Sequence, residues 1–224
     1  MNAPVKRFPW WPAAWGFAVA VVASAVLMAA VDVPAAHYFR TVFDAGQRRF
    51  LGHVLGALGK PDFYFAACAA VYIVCWLMRR RAEQASERLT LMMHRALFVV
   101  FSIVAAGTVV NVAKIVVGRT RPRELFDHGI AEFRPFNTDF GMNTFPSGHA
   151  QMSWSLAIAL FLIYPRLWPA YFLFASVLAA SRFLASVHYL SDVVIGTYIG
   201  VIVPLLLKHY FYDARGIRLT ADTP

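Results

Sequence analysis

Residues Arg95–Pro122 read RALFVVFSIVAAGTVVNVAKIVVGRTRP. From Ala96 to Ala113 no side chain carries a formal charge. A helix rises about 1.5 Å per residue, so this run approaches the length needed to cross a hydrocarbon core of roughly 30 Å. It closes on Lys114, and Arg119, Arg121 and Pro122 follow directly. Ionisable side chains at the end of a lipid-embedded helix are costly and usually face a cavity. The stretch therefore predicts a membrane helix whose cationic end belongs to a site.

Composition points the same way. Of 224 residues, 59% are hydrophobic and only 15% are charged, against about 25% charged in ordinary soluble domains. This length suits one helical membrane domain, taken as residues 1–224, with short connections. The formal net charge is +9. In so apolar a chain that excess fits basic loops and a site for anionic lipid rather than nucleic acid. Cys68 and Cys75 stand two helical turns apart, too far for a disulfide, and read as small packing residues.

Six apolar segments predict spans at about 13–31, 62–78, 95–117, 147–164, 168–186 and 189–207. The first follows Lys6 and Arg7 as a signal peptide would, but it lacks a cleavage site and reads as an uncleaved helix. The predicted fold class is all-α: a polytopic bundle of six transmembrane helices. Between the first two spans, Arg40, Arg48 and Arg49 alternate with Phe39, Phe43, Phe50, Leu51 and Val54. That spacing suits an amphipathic interfacial helix, with a solvated loop as the alternative. Several spans fall short of about 20 uncharged residues where Lys114, His149, Arg182 and Asp192 intrude. Alternating direction places all four of those ends at one membrane face. Basic residues favour the opposite side (Lys6, Arg7, Arg79, Arg80, Arg81, Arg88, Arg95, Arg166, Lys208, Arg215 and Arg218), which predicts cytoplasmic termini.

Three polar blocks carry the chemistry: Lys114–Pro122 (KIVVGRTRP), Pro146–His149 (PSGH) and Ser181–Asp192 (SRFLASVHYLSD). Gly118 and Pro122 are placed to end the helix after Lys114, letting Arg121 swing across a site mouth. Arg can bind two phosphate oxygens at once, and Lys adds a compact charge. Arg119 and Arg123 read instead as cations snorkelling from a helix end. Ser147 fits an N-cap, Gly148 lets backbone approach an anion, and His149 falls in the first turn. His188 and Asp192 are spaced i, i+4, so the carboxylate can orient the imidazole as a nucleophile. Taken alone, the same pair could simply tie two helices together. Arg182 requires a turn within 183–187 to reach the same place.

Together the blocks match the signature K-x6-R-P, P-S-G-H, S-R-x5-H-x3-D, and the chain resembles the type 2 phosphatidic acid phosphatase superfamily over its core at 114–192. The resemblance implies a lipid phosphatase needing neither metal nor cofactor. His188 attacks phosphorus to form a phosphohistidine, His149 serves the leaving oxygen, and Asp192 orients His188. Lys114, Arg121, Ser147, Gly148 and Arg182 hold the phosphate. It also implies a multi-pass protein of a bacterial inner membrane with its site facing outward. The implied partner is a lipid phosphate or diphosphate: undecaprenyl diphosphate, phosphatidylglycerol phosphate, phosphatidate or lipid A 1-phosphate. A phosphotransferase using the same site, or an anion-binding transporter, would share these residues. The loop 123–145 is expected to help select the substrate. Gly56, Gly59, Gly107 and Gly118 permit close helix approach but define no oligomer.

Overall fold

The computed structural model describes residues 7–81, 86–217 and 219–220. Lys6 and Arg218, which entered the loop-charge reading, lie outside them. Every regular element among the described residues is helical, with one isolated bridge between Arg119 and Phe133. Helix α1 (Trp10–Val26) runs through a π turn (Leu27–Val31) into α2 (Asp32–Val42). Pro34 lacks the N–H that would close on Ala30, and the wider turn absorbs the missing bond. After a break come α3 (Ala45–Arg49), a second π turn (Phe50–Val54) and α4 (Leu55–Leu58). The segment read as one interfacial helix is thus two helical pieces. Asp44 breaks them, capping α3 by accepting the Gln47 N–H at 2.8 Å.

Helices α5 (Asp62–Arg81) and α6 (Glu87–Val117) follow, then a short α7 (Pro122–His128). The bundle is completed by α8 (Gly148–Ile163), α9 (Trp168–Leu184) and α10 (Leu190–Leu207). Among the described residues five helical stretches are long and apolar enough to cross a membrane: Trp10–Val42, Ala45–Arg81, Glu87–Val117, Pro165–Leu184 and Leu190–Arg215. This is an integral membrane protein. Helix α8, with 16 residues, is the shorter apolar one. Ten of its residues are buried, so it lies sheathed in protein and needs no lipid-facing length of its own.

Helices α6, α8 and α10 form the centre. Phe98, Val99 and Ile103 of α6 meet Met152, Leu156 and Ala159 of α8 in one core cluster, while Ala106 and Val110 meet Ile195 and Ile199 of α10 in another. Helix α10 approaches α8 closely through Gly196 and Gly200. A Cβ on Gly196 would strike the Ser147 backbone, and one on Gly200 would stand 2.5 Å from the Gln151 carbonyl oxygen. Helix α1 packs on α10, α5 on α6 and α9 on α8. Their outer faces expose Val19, Val22, Ile73, Val74, Val112 and Leu173, as lipid contact requires.

Candidate active site

The three polar blocks converge at one end of the bundle. Helix α6 stops where Gly118 takes a left-handed φ of 58° and donates its N–H to the Lys114 carbonyl at 2.9 Å. Any Cβ there would collide with the Arg134 backbone. The chain then turns back, and Arg121 becomes the N-cap of α7 with Pro122 at its first position. Ser147 caps α8, its Oγ accepting the Ala150 N–H at 3.5 Å. After α9 the chain folds on itself: the N–H groups of Val187 and His188 both donate to the Arg182 carbonyl, at 3.0 and 3.1 Å. Ser186 adopts φ 54° in that turn. The turn expected within 183–187 is therefore present, and it brings Arg182 and His188 to the same wall.

That wall encloses a cavity of about 730 Å³, lined by Lys114, Arg121, Gly148, His149, Arg182 and His188. Ser147 and Asp192, both fully buried, sit behind the lining. Lys114 donates to the Asn143 carbonyl at 2.5 Å, and Arg121 reaches the Asn143 side-chain oxygen at 2.7 Å. One residue thus ties both cations to the 140s loop. Arg182 donates to the Gly52 carbonyl at 3.0 Å, while its buried Nε has no hydrogen-bond partner among the described residues. A buried donor left open in a cavity is a site for an anion. Gly56 and Gly59 let the second helical piece press against the site. A Cβ on Gly56 would stand 2.5 Å from Arg182 Nη1, and one on Gly59 would stand 2.7 Å from the His149 ring.

His188 is not on the helix with Asp192. Helix α10 begins at Leu190, after an extended Tyr189. Asp192, in the first turn, reaches back: Oδ2 accepts the Tyr189 N–H at 2.9 Å and the Thr144 hydroxyl at 2.7 Å. It lies 3.4 Å from His188 Nδ1. The Thr144 oxygen also stands 3.1 Å from Nδ1. A carboxylate can only accept, so the single Thr144 proton goes to Asp192, and the Thr144 oxygen must accept from Nδ1–H. The proton is thereby held on Nδ1, leaving the Nε2 lone pair free. Burial pushes the His188 pKa down to about 4, against the opposing pull of the Asp192 carboxylate. His188 is a neutral imidazole at ordinary pH.

Arg119 departs from the expectation of a snorkelling cation. It is only 6% exposed. Its Nη1 donates to Asp192 Oδ1 at 2.8 Å and to Ser191 Oγ at 2.7 Å, and its Nη2 donates to Asp32 Oδ2 at 2.8 Å. The guanidinium lies 4.1 Å from the Tyr189 ring centroid. The reason is the turn at Gly118, which points Arg119 into the bundle rather than toward water. Arg123, by contrast, is exposed and pairs with its neighbour Glu124 at 3.1 Å. Thr144, Asn143, Arg119 and Asp32 were not assigned to the site from sequence. Of these, only Asp32, an isolated acid at the end of an apolar run, carried a recognisable signal.

Five further basic residues line the cavity mouth: Arg40, Arg48, Arg49, Lys60 and Arg123. Among the described residues no carboxylate lines it. Arg40 stacks over Phe126 at 4.1 Å, and Arg48 turns back onto the carbonyls of Arg40 and Phe43.

Comparison with known proteins gives the family and supports the fold. The model of the PAP2 superfamily matches residues 95–215, more than half of the chain, and the protein belongs to that superfamily. Over 114 residues, 51% of this chain, it is 33% identical to a lipid A 1-phosphatase of Rhizobium johnstonii, covering 47% of that protein. A lipid A 1-phosphatase of Rhizobium etli is 33% identical over 99 residues, 44% of this chain and 43% of the relative. The chain thus spans about half the length of these curated relatives. Its fold is similar to the crystal structure of a transmembrane PAP2-type phosphatidylglycerolphosphate phosphatase from Bacillus subtilis, with a TM-score of 0.63 at 16% identity, covering 91% of this chain and 96% of that one. It is also similar to Aquifex aeolicus LpxE, with a TM-score of 0.57 at 18% identity over 81% of this chain and 96% of that one.

Proposed function

We propose that this protein is a bacterial lipid phosphatase that cleaves a phosphate monoester or diphosphate through a phosphohistidine on His188. The observation that carries the reading is the shared cavity in which a neutral, oriented His188 faces His149 among Lys114, Arg121 and Arg182. Nε2 of His188 attacks phosphorus in line. The bond to the lipid oxygen breaks, and that oxygen takes a proton from His149, which acquires it as the phosphate anion binds beside its ring. Water, activated by His149, then cleaves the N–P bond and releases phosphate. Lys114, Arg121, Arg182 and the Gly148 backbone hold the non-bridging oxygens, with Ser147 fixing the start of α8 behind them. The scheme calls on no metal.

In this reading short α8 makes the fourth of six crossings, and the basic loop residues favour cytoplasmic termini with the cavity at the outer face of the inner membrane. The basic residues at the mouth suit a headgroup bearing more than one negative charge, and the apolar flanks suit an acyl or prenyl tail. Lipid A 1-phosphate leads the candidates because two relatives act on it; undecaprenyl diphosphate, phosphatidylglycerol phosphate and phosphatidate follow. The test is phosphate release by the purified protein against these four lipids, with and without EDTA, beside His188→Ala. Release that survives EDTA and vanishes in the variant supports the reading. Equal release by the folded variant sinks it, and loss of release with EDTA overturns metal independence.

A further inference from the structure

Asp32 lies in the first membrane helix pair, far in sequence from the three polar blocks and outside the stretch that the family model matches. It is 1% exposed. Burying a carboxylate at that depth is costly unless it is fully paired. Its partners are Arg119 at 2.8 Å, the Ser191 hydroxyl at 2.5 Å and the Ser191 N–H at 3.1 Å. Arg119 in turn holds the far oxygen of Asp192, whose near oxygen holds Thr144 and faces His188. The four groups form one buried chain: Asp32, Arg119, Asp192, His188.

Counting charge along that chain gives its purpose. Arg119 carries one positive charge and faces two carboxylates, so the cluster holds one net negative charge while His188 is neutral. When Nε2 forms its bond to phosphorus, Nδ1 keeps its proton and the ring becomes a cationic phosphoimidazolium. The cluster then closes at zero. Without the Asp32 charge, Arg119 alone would neutralise Asp192, and the new cation on the ring would meet a carboxylate already spent on the guanidinium.

We propose that Asp32 is a positioning residue for the phosphoryl-transfer step, acting through Arg119 to leave the Asp192 charge available to the His188 ring. This rests on the phosphohistidine reading above. The π turn at Leu27–Val31 sets the carboxylate beside Ser191, so α1 and α2 are part of the reactive machinery as well as the membrane anchor.

The test is rapid-quench labelling of the full-length protein with ³²P-phosphatidate in mixed micelles, comparing wild type with Asp32→Asn and Asp32→Glu. The amplitude of labelled enzyme reports the folded, competent fraction; its rate constant reports attack by His188. For Asp32→Asn the expected result is an unchanged amplitude with a rate constant roughly tenfold to hundredfold lower, the loss typical of removing an orienting partner. KM is expected to hold, and Asp32→Glu should recover part of the rate. A lower amplitude with an unchanged rate constant would show Asp32 to be purely structural and overturn the proposal. An unchanged rate and amplitude would overturn it too. Wild-type enzyme that releases phosphate without ever becoming labelled would instead remove the phosphohistidine reading, and the proposal with it.

Discussion

A single hydroxyl decides the state of the nucleophile. Thr144 gives its proton to Asp192 and so can only accept from His188; that arrangement selects the reactive tautomer. Thr144→Val keeps the shape but removes the acceptor, and a buried donor left unpaired costs about 1–3 kcal/mol. We expect kcat to fall roughly tenfold or more, measured by phosphate release, together with a loss of thermal stability of that order. The depressed pKa of His188, about 4, makes a second prediction. Between about pH 6.5, the ordinary value for histidine, and pH 4 the unfolded chain takes up a proton that the folded site refuses. Stability is therefore expected to fall as pH drops through that window and to level off below it. His188→Gln should flatten this part of a melting-temperature profile. Arg119 offers a third. Arg119→Ala would strand two buried carboxylates, and breaking such pairing costs about 3–5 kcal/mol. Chemical unfolding in detergent should show a loss of that order, far beyond the effect of the exposed Arg123→Ala.

At the scale of elements, what positions the site is how closely helices approach. Gly196 and Gly200 lie one turn apart on α10 and let α8 settle against it. The contact holds the Ser147 turn, whose N–H donates to the Asp192 carbonyl at 2.9 Å. Gly196→Ala drives a methyl group into the Ser147 backbone, a collision that no side-chain rotation relieves. The expected outcome is a large fall in phosphate release from a protein that remains helical by circular dichroism, because His149 is carried off its line with His188. The second helical piece meets the site in the same manner, Gly59 against His149. The glycines singled out from sequence included Gly56 and Gly59, but as sites of helix packing; the structure turns them toward two reactive side chains.

For the molecule as a whole, the question is which way the bundle faces. The helix ends that carry the three polar blocks meet at one cavity, so one measurement orients every one of them. Cysteine introduced at Asp127, exposed on α7 at the same end of the bundle as the cavity-lining Arg123, should react with a membrane-impermeant maleimide in cells whose outer membrane is permeabilised. Cysteine introduced at Arg166, in the turn at the other end of α8, should not. The reverse pattern would invert the proposed topology and place the chemistry in the cytoplasm. Native Cys68 and Cys75 lie within α5 and serve as the unlabelled background.

The sequence alone determined the helical membrane character and singled out Lys114, Arg121, Gly148, His149, Arg182 and His188, which all line one cavity. Each of those is a local property. Lipid demands long apolar runs with internally satisfied backbone; Ser147 announces a cap; Gly118 announces a helix end; and the distance from Arg182 to His188 forces a turn. Only the tertiary structure decided what stands behind the nucleophile. Asp32, Arg119, Thr144 and Asp192 come from four separate stretches of chain, and their pairing exists because buried charges must find partners across the bundle. The Gly118 turn sends Arg119 inward and Arg121 to the cavity although only Thr120 separates them. Charge patterning along a line of residues does not contain that difference, since it depends on which side of a turn faces protein and which faces the open mouth.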